Sequence, residues 1–357
     1  MIKYLGSKRL LVPRIVEIVA ALDAVQPVRT VLDLFAGTSR VGHALKHAGC
    51  RVLANDDATY AHVLATAYVQ ADAEDWAAAL SALLPELSAA PPVHGYITRT
   101  FCEEARYFTP ENGARIDGIR AAIAARALPP ELEALALTAL LEAADRVDST
   151  TGLQMAYLKR WAPRAANPLV LRAPALLPRA RHGKGAAHRL DALDAARALA
   201  ADVAYLDPPY NQHSYLGNYH AWETIARGDE PAAYGVARKR VDTRERRSRF
   251  NSRRRHAAAL REVIAAVDAR VLVVSFSDEG FVTRDDVTAM LAPRGEVLVF
   301  AHDFKRYVGA QIGIHNPRGE KVGRVSHLRN REFLFVAGPP AALAGVRAAA
   351  EPAPLPA

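Results

Sequence analysis

The run TVLDLFAGTSRVGHALKHAGCRVLAND, residues 30–56, narrows the fold more than any other part of the chain. Thr30 to Leu34 is an apolar strand. Gly37 marks a tight turn, and Thr38 or Ser39 is placed to cap a helix reaching about Ala48, with Gly49 at its C-terminal stop. A second strand, CRVLAND, follows at once. Strand, helix and strand over so short a span demand a right-handed parallel crossover, and so an α/β sheet with covering helices.

Strands return at VAYLDPPY and at Val271–Phe276. Val297–Phe300 and Phe333–Val336 lie further on, separated by a long turn-rich stretch, and read as a closing antiparallel pair. Between the two halves the chain is rich in Ala and Leu at helical spacing, as in ELEALALTALLEAADR, and is punctuated by Pro85, Pro91, Pro92, Pro129 and Pro130. The expected organisation is a Rossmann-like sheet domain whose first part is residues 1–69. A mainly helical insertion over 70–184 follows, running through DSTTGLQMAYLKRWAPR. The second part of the sheet domain is 185–338, and an Ala/Pro-rich tail, expected to be mobile, is 339–357.

Composition excludes several classes. Half of the 357 residues are apolar and 24% are charged, as in a globular protein. No apolar run approaches the roughly 18–20 residues of a membrane helix. The start, MIKYLGSKRLL, has no signal-peptide core, so a cytoplasmic location is expected. The two cysteines, Cys50 and Cys102, lack metal-ligand spacing, and no metal site is expected. The net charge of +8 favours a polyanionic partner.

In a parallel sheet, ligands sit beyond the carboxyl ends of the strands. Asp33, Phe35, Gly37, Asp56 and Asp207 fall at such ends. The run Gly37–Gly42 lacks the middle glycine of a dinucleotide loop, and His43 and Ala44 replace the lysine and hydroxyl of a phosphate loop. A nucleoside ligand without a pyrophosphate remains. Asp56, about 20 residues past the turn, is placed to take ribose hydroxyls, and Asp33 suits a cationic amino group. S-adenosylmethionine meets both requirements. A glycine turn needed only for packing would read the same way in isolation.

Four motifs in order then resemble a known family: KYLGSK at Lys3–Lys8, DLFAGTSRVG at Asp33–Gly42, ND at Asn55–Asp56, and DPPY at Asp207–Tyr210. They are similar to those of the Dam-like, D12-class DNA adenine-N6 methyltransferases, in the branch with a long helical insertion. The resemblance implies S-adenosyl-L-methionine as cofactor and double-stranded DNA as partner, with a cognate restriction endonuclease acting separately in some systems. It places Tyr4, Gly6, Lys8, Asp33, Phe35, Gly37, Asp56 and Asp191 at the cofactor; Asp194 competes with Asp191. Lys8 is expected to hold the methionine portion or to brace the loop at Asp33. Ser39, where a glycine is commoner, departs from the family pattern.

Chemistry explains DPPY. The amino nitrogen of adenine is a poor nucleophile because its lone pair is delocalised. Asp207 can accept one N–H and the Pro208 carbonyl the other, aiming the lone pair outward. Prolines fix φ at this corner, and Tyr210 can stack on a base that has left the duplex. Asp-Pro and Pro-Pro are also turn formers in any protein. Within the resemblance, aspartate favours adenine over cytosine-N4. An RNA adenine or cytosine-N4 substrate, and an inactive DNA-binding protein on the same fold, are the alternatives.

For DNA, the segment from Arg238 to Arg255 carries ten Lys/Arg against two acids. It is read as a phosphate-binding loop, with Arg246, Arg247, Arg249, Arg253 and Arg254 as contacts. A solvated charge run is the plainer reading. YLKRWAPR, with Lys159 and Arg160, and FKRY, with Lys305 and Arg306, mix cations with aromatics and are further candidates. The insertion is the expected seat of target recognition. His213, His220 and His302 receive no role.

Overall fold

A computed structural model describes residues 1–158, 160–305, 314–315, 321–323 and 329–349. Helix α1 (Val12–Asp23) leads into β1 (Thr30–Asp33), α2 (Arg40–His47), β2 (Arg51–Asn55) and α3 (Thr59–Ala65). The insertion contributes α4 (Ala73–Ser88), α5 (Pro110–Ala125) and α6 (Pro130–Val147). The sheet resumes with β3 (Ala186–His188), α7 (Ala192–Ala198) and β4 (Ala200–Leu206), then α8 (Tyr215–Asn218) and α9 (His220–Arg227). A small hairpin, β5 (Ala233–Tyr234) and β6 (Lys239–Arg240), precedes α10 (Arg253–Ala266), β7 (Asp268–Ser277) and α11 (Arg284–Leu291). Strands β8 (Glu296–Lys305), β9 (Ile314–His315), β10 (Lys321–Gly323) and β11 (Arg329–Gly338) and helix α12 (Ala344–Ala348) complete the order. Among the described residues no helix is long and apolar enough to cross a membrane.

The seven-stranded sheet runs β3-β2-β1-β4-β7-β11-β8. The first five strands are parallel, and β11 lies antiparallel between β7 and β8. The expected crossover and closing pair are both present. The two sheet faces bury separate apolar layers. One holds Ile15, Ile18 and Leu45 with Val31 and Val203, and the other holds Leu32, Leu206, Leu260 and Val263. This order brings the carboxyl ends of β1, β2 and β4 side by side, which puts Asp33, Asp56 and Asp207 on one rim.

Two expectations need correction. The insertion is helical only to Val147; among the described residues of 148–185 there is a single short 3-10 turn, Pro163–Ala166. Pro163, Pro168, Pro174 and Pro178 explain this, since each removes a donor and clashes with the preceding turn. The insertion helices share their core with the sheet domain. Leu135, Leu140 and Phe101 share one apolar cluster with Tyr60 of α3 and Trp222 of α9. Finally, the start of the tail is ordered: Leu343 and Val346 are buried against α1, and α12 packs there.

Candidate active site

The glycine turn works differently from the cap read in the sequence. Ser39 sits at the N-cap of α2 in left-handed backbone (φ 56°), and its hydroxyl caps nothing. The carboxylate of Asp33, reaching across from the end of β1, accepts the Gly42 N–H at 3.0 Å instead. A strand-end acid thus performs the capping that a helix start needs. Gly37 turns the chain at φ 52°, and a Cβ there would lie 3.3 Å from the Tyr4 ring. Its N–H donates to Asp56 Oδ2 at 2.9 Å, while Asp56 Oδ1 accepts from Ala58 N. Gly49 follows α2 at φ 99°, the stop expected of it.

These groups open onto a cavity of about 460 Å³. All eight residues assigned to the cofactor line it: Tyr4, Gly6, Lys8, Asp33, Phe35, Gly37, Asp56 and Asp191. Asp191 also caps α7, accepting from Leu193 N at 2.9 Å, whereas Asp194 lies within the first helical turn and does not line the cavity. Asp207 and Pro209 line it as well. Pro208 and Tyr210 are not lining residues; Tyr210 packs edge-on against Phe276. Tyr4 is stacked between Tyr215 and Tyr219, with ring centroids at 5.2 and 4.5 Å, and its hydroxyl meets that of Tyr60 at 3.0 Å.

Lys8 is the largest departure from expectation. Its ammonium pairs with Asp207 Oδ1 at 3.1 Å and Glu332 Oε1 at 3.2 Å, with the Gly6 carbonyl at 3.2 Å, so it braces Asp207 rather than the loop at Asp33. The side chain is buried. Burial works against the charge, but Asp207 and Glu332 outweigh it and hold the lysine pKa well above its usual value. Glu332 was not among the expected site residues. Nothing in the sequence distinguishes it from other strand acids; only the register of β11 beside β7, with Glu332 opposite Ser277, brings it here.

The carboxylates are poised near neutrality. Burial pushes Asp33 up to about 7, against the Gly42 hydrogen bond and helped by the charges of Asp207 and Asp56. Burial likewise raises Asp56 to about 6, opposed by the Ala58 and Gly37 N–H groups. Asp207 is raised to about 6 by burial, with Lys8 pulling it down and Glu332 pushing it up. Asp33 Oδ1 is buried with no hydrogen-bond partner among the described residues. Unpaired buried carboxylates are costly, so the cavity suits a ligand bringing positive charge to Asp33 and hydroxyl donors to Asp56. S-adenosylmethionine brings both.

The basic segment also differs from a row of free cations. Residues 245–251 form a strap along the cavity, anchored by Phe250 edge-on against Phe35 at 5.2 Å. Arg246 bonds Glu223 Oε1 at 3.1 Å and the Asp57 carbonyl at 3.0 Å. Arg249 is paired with Glu262 through both terminal nitrogens at 2.8 and 2.9 Å. Arg253 stacks over Phe281 at 5.2 Å. Arg246 and Arg249, expected as phosphate contacts, are thus held in ion pairs. Arg247, Arg254 and Arg255 are exposed, as is Arg160. Lys159 and Arg306 lie outside the described residues, and so does the side chain of Lys305.

With His43 and Ala44 where a phosphate loop carries its lysine and hydroxyl, and raised carboxylates at two strand ends, the cavity suits a cationic nucleoside. A parallel sheet with β11 reversed between β7 and β8 completes the description of a methyltransferase that uses S-adenosylmethionine. The chain belongs to the D12 class of N6 adenine-specific DNA methyltransferases, whose sequence profile matches residues 4–286. It is 29% identical over 311 residues to the Type II methyltransferase M.NlaIII of Neisseria lactamica, covering 84% of this chain and 90% of that protein. It is also 29% identical to Modification methylase StsI of Streptococcus sanguinis and to M.FokI of Planomicrobium okeanokoites, over 81% and 82% of this chain. The chain spans about half the length of those two relatives, 46% and 47%.

Proposed function

We propose that this protein transfers a methyl group from S-adenosylmethionine to the exocyclic N6 of an adenine extruded from double-stranded DNA. The observation that carries it is the shared cavity: Asp207, beside a double proline, lines the same space as Asp33 and Asp56. An acceptor amine at Asp207 and a cofactor at Asp33 and Asp56 would therefore share one space. The cofactor, when bound, supplies an electrophilic methyl on a positively charged sulfur. Everything else falls to the chain.

Asp33 and Asp56 would hold the ammonium and ribose. Asp207 accepts one N–H of adenine and the Pro208 carbonyl the other, which localises the nitrogen lone pair and directs it into the cavity. Asp207 Oδ1 is already held by Lys8, and Glu332 gives that ammonium a second seat when substrate arrives. Transfer leaves N6 with one proton too many, and Asp207, raised to about 6, is placed to receive it.

Names of relatives, "Type II methyltransferase" and "Modification methylase", support a DNA-modification role; a cytoplasmic location and a cognate endonuclease acting as a separate protein are part of the same proposal. The test is sequencing that detects methyladenine in DNA from cells expressing the wild type or Asp207→Ala. A methylated motif present only with the wild type is the expected result. Methylcytosine instead, methylation confined to RNA, or no mark at all would replace this reading with one of its alternatives.

A further inference from the structure

One surface feature has no part in the chemistry above. The β5–β6 hairpin turns through Gly235 (φ 68°) and Arg238 (φ 49°), and between them Val236 is 79% exposed, the most exposed large apolar side chain among the described residues. A single exposed valine is ordinary, but this one is held out by a rigid base. The buried Tyr107 hydroxyl lies 2.8 Å from the carbonyl oxygens of both Ala237 and Gln154. Ala237 neighbours Val236, and Gln154 neighbours Met155, which is 45% exposed. One phenol thus ties together the backbones that present two apolar tips. Below the turn, the buried Arg240 grips Asp229 at 2.6 and 2.8 Å and Asp242 at 3.1 Å, and the Arg244 guanidinium stacks 3.7 Å over Tyr234.

The ridge stands beside the cavity. Gln154 N–H donates to the Asn218 carbonyl at 2.7 Å, at the end of α8, and Tyr215 and Leu216 of the same short helix line the cavity. The hairpin carries Lys239, with Arg244 against it, while Arg238 is ion-paired with Glu104. Apolar tips flanked by positive charge, on a braced base next to a base-sized opening, match a duplex whose stack has just lost a base. We propose that Val236 and Met155 form an apolar wedge that enters the DNA stack as the target adenine leaves it. The inference rests on the DNA-methylation reading above.

The test uses duplexes bearing the methylated motif found by sequencing, with the target adenine either paired normally or placed opposite an abasic site. Val236→Ser and Val236→Ser/Met155→Ser are compared with the wild type by methylation rate, by fluorescence of 2-aminopurine at the target position, and by cofactor affinity. On the paired target the double variant is expected to lose about tenfold in rate, together with most of the fluorescence rise. On the abasic duplex, where extrusion is already easy, it should stay within about threefold of the wild type, with cofactor affinity unchanged. Wild-type rates on the paired target, or equal losses on both duplexes, overturn the wedge while leaving the function standing. A wild type that methylates neither duplex overturns both.

Discussion

The Lys8 ammonium lies 3.1 Å from Asp207 and 3.2 Å from Glu332, so the carboxylate proposed to take the substrate amine is already answered by a buried cation. The two neighbours act oppositely on Asp207: Lys8 lowers its pKa and Glu332 raises it. Asp207 must be ionised to accept an N–H. The kcat/KM profile is therefore expected to fall on the acid side near pH 6. Lys8→Met should move that limb to higher pH and Glu332→Gln to lower pH, each by about one unit. Limbs that stay in place in both variants would show that another group sets the profile.

Asp33 stores cost for the ligand-free protein. Its folded pKa, about 7, lies above the ordinary value of 3.8, so the fold loses stability from this group as pH rises from about 4 through 7. Asp33→Asn keeps an oxygen for the Gly42 N–H and removes the charge. At pH 8 the ligand-free variant is expected to be more stable by about 1–3 kcal/mol in thermal unfolding. It should also lose cofactor affinity by at least about tenfold. A variant that is both less stable and still able to bind would refute the assignment of Asp33 to the cofactor cation.

Much of this site was legible because it depends on short-range pattern. Strand, glycine turn and helix within residues 30–49 fix where Asp33, Phe35 and Gly37 must point, and Asp56 ends the next strand. What escaped depends on distant pairing. Lys8 and Glu332 are brought together only by the reversed strand β11. The strap looked like a charge run because its acids, Asp57, Glu223 and Glu262, lie elsewhere in the sequence or fold; the one local signal was Phe250, an apolar residue inside the basic stretch. The irregular stretch after Val147 misled because Ala and Leu spacing outweighed four prolines that should have stopped a helix.

Asp56 and Arg246 separate cofactor binding from DNA binding. Asp56→Ala is expected to weaken S-adenosylmethionine about 10–100-fold by direct binding measurement while DNA affinity stays within about threefold. Arg246→Ala unties the strap from Glu223 and Asp57. It leaves Glu223 buried with only Thr59 and Tyr60 as donors among the described residues, which should cost about 2–3 kcal/mol of stability and weaken the cofactor as well. Equal losses of cofactor and DNA in Asp56→Ala, with a lowered melting temperature, would point to misfolding instead.

Salt dependence tells struts from phosphate contacts. Each phosphate neutralised by a cation contributes about −0.9 to the slope of log K against log salt. Arg247, Arg254 and Arg255 are exposed, with no ion pair among the described residues, and are free to meet phosphates. Arg249 spends both terminal nitrogens on Glu262. Neutralising Arg247, Arg254 and Arg255 together to Gln should therefore flatten the slope by about 2–3, measured by fluorescence anisotropy between 50 and 200 mM salt. Arg249→Gln should leave it nearly unchanged. The reverse outcome, a flattened slope in Arg249→Gln and none in the triple variant, would mean that the Glu262 pair opens on DNA and that the three exposed arginines are ordinary solvated charge.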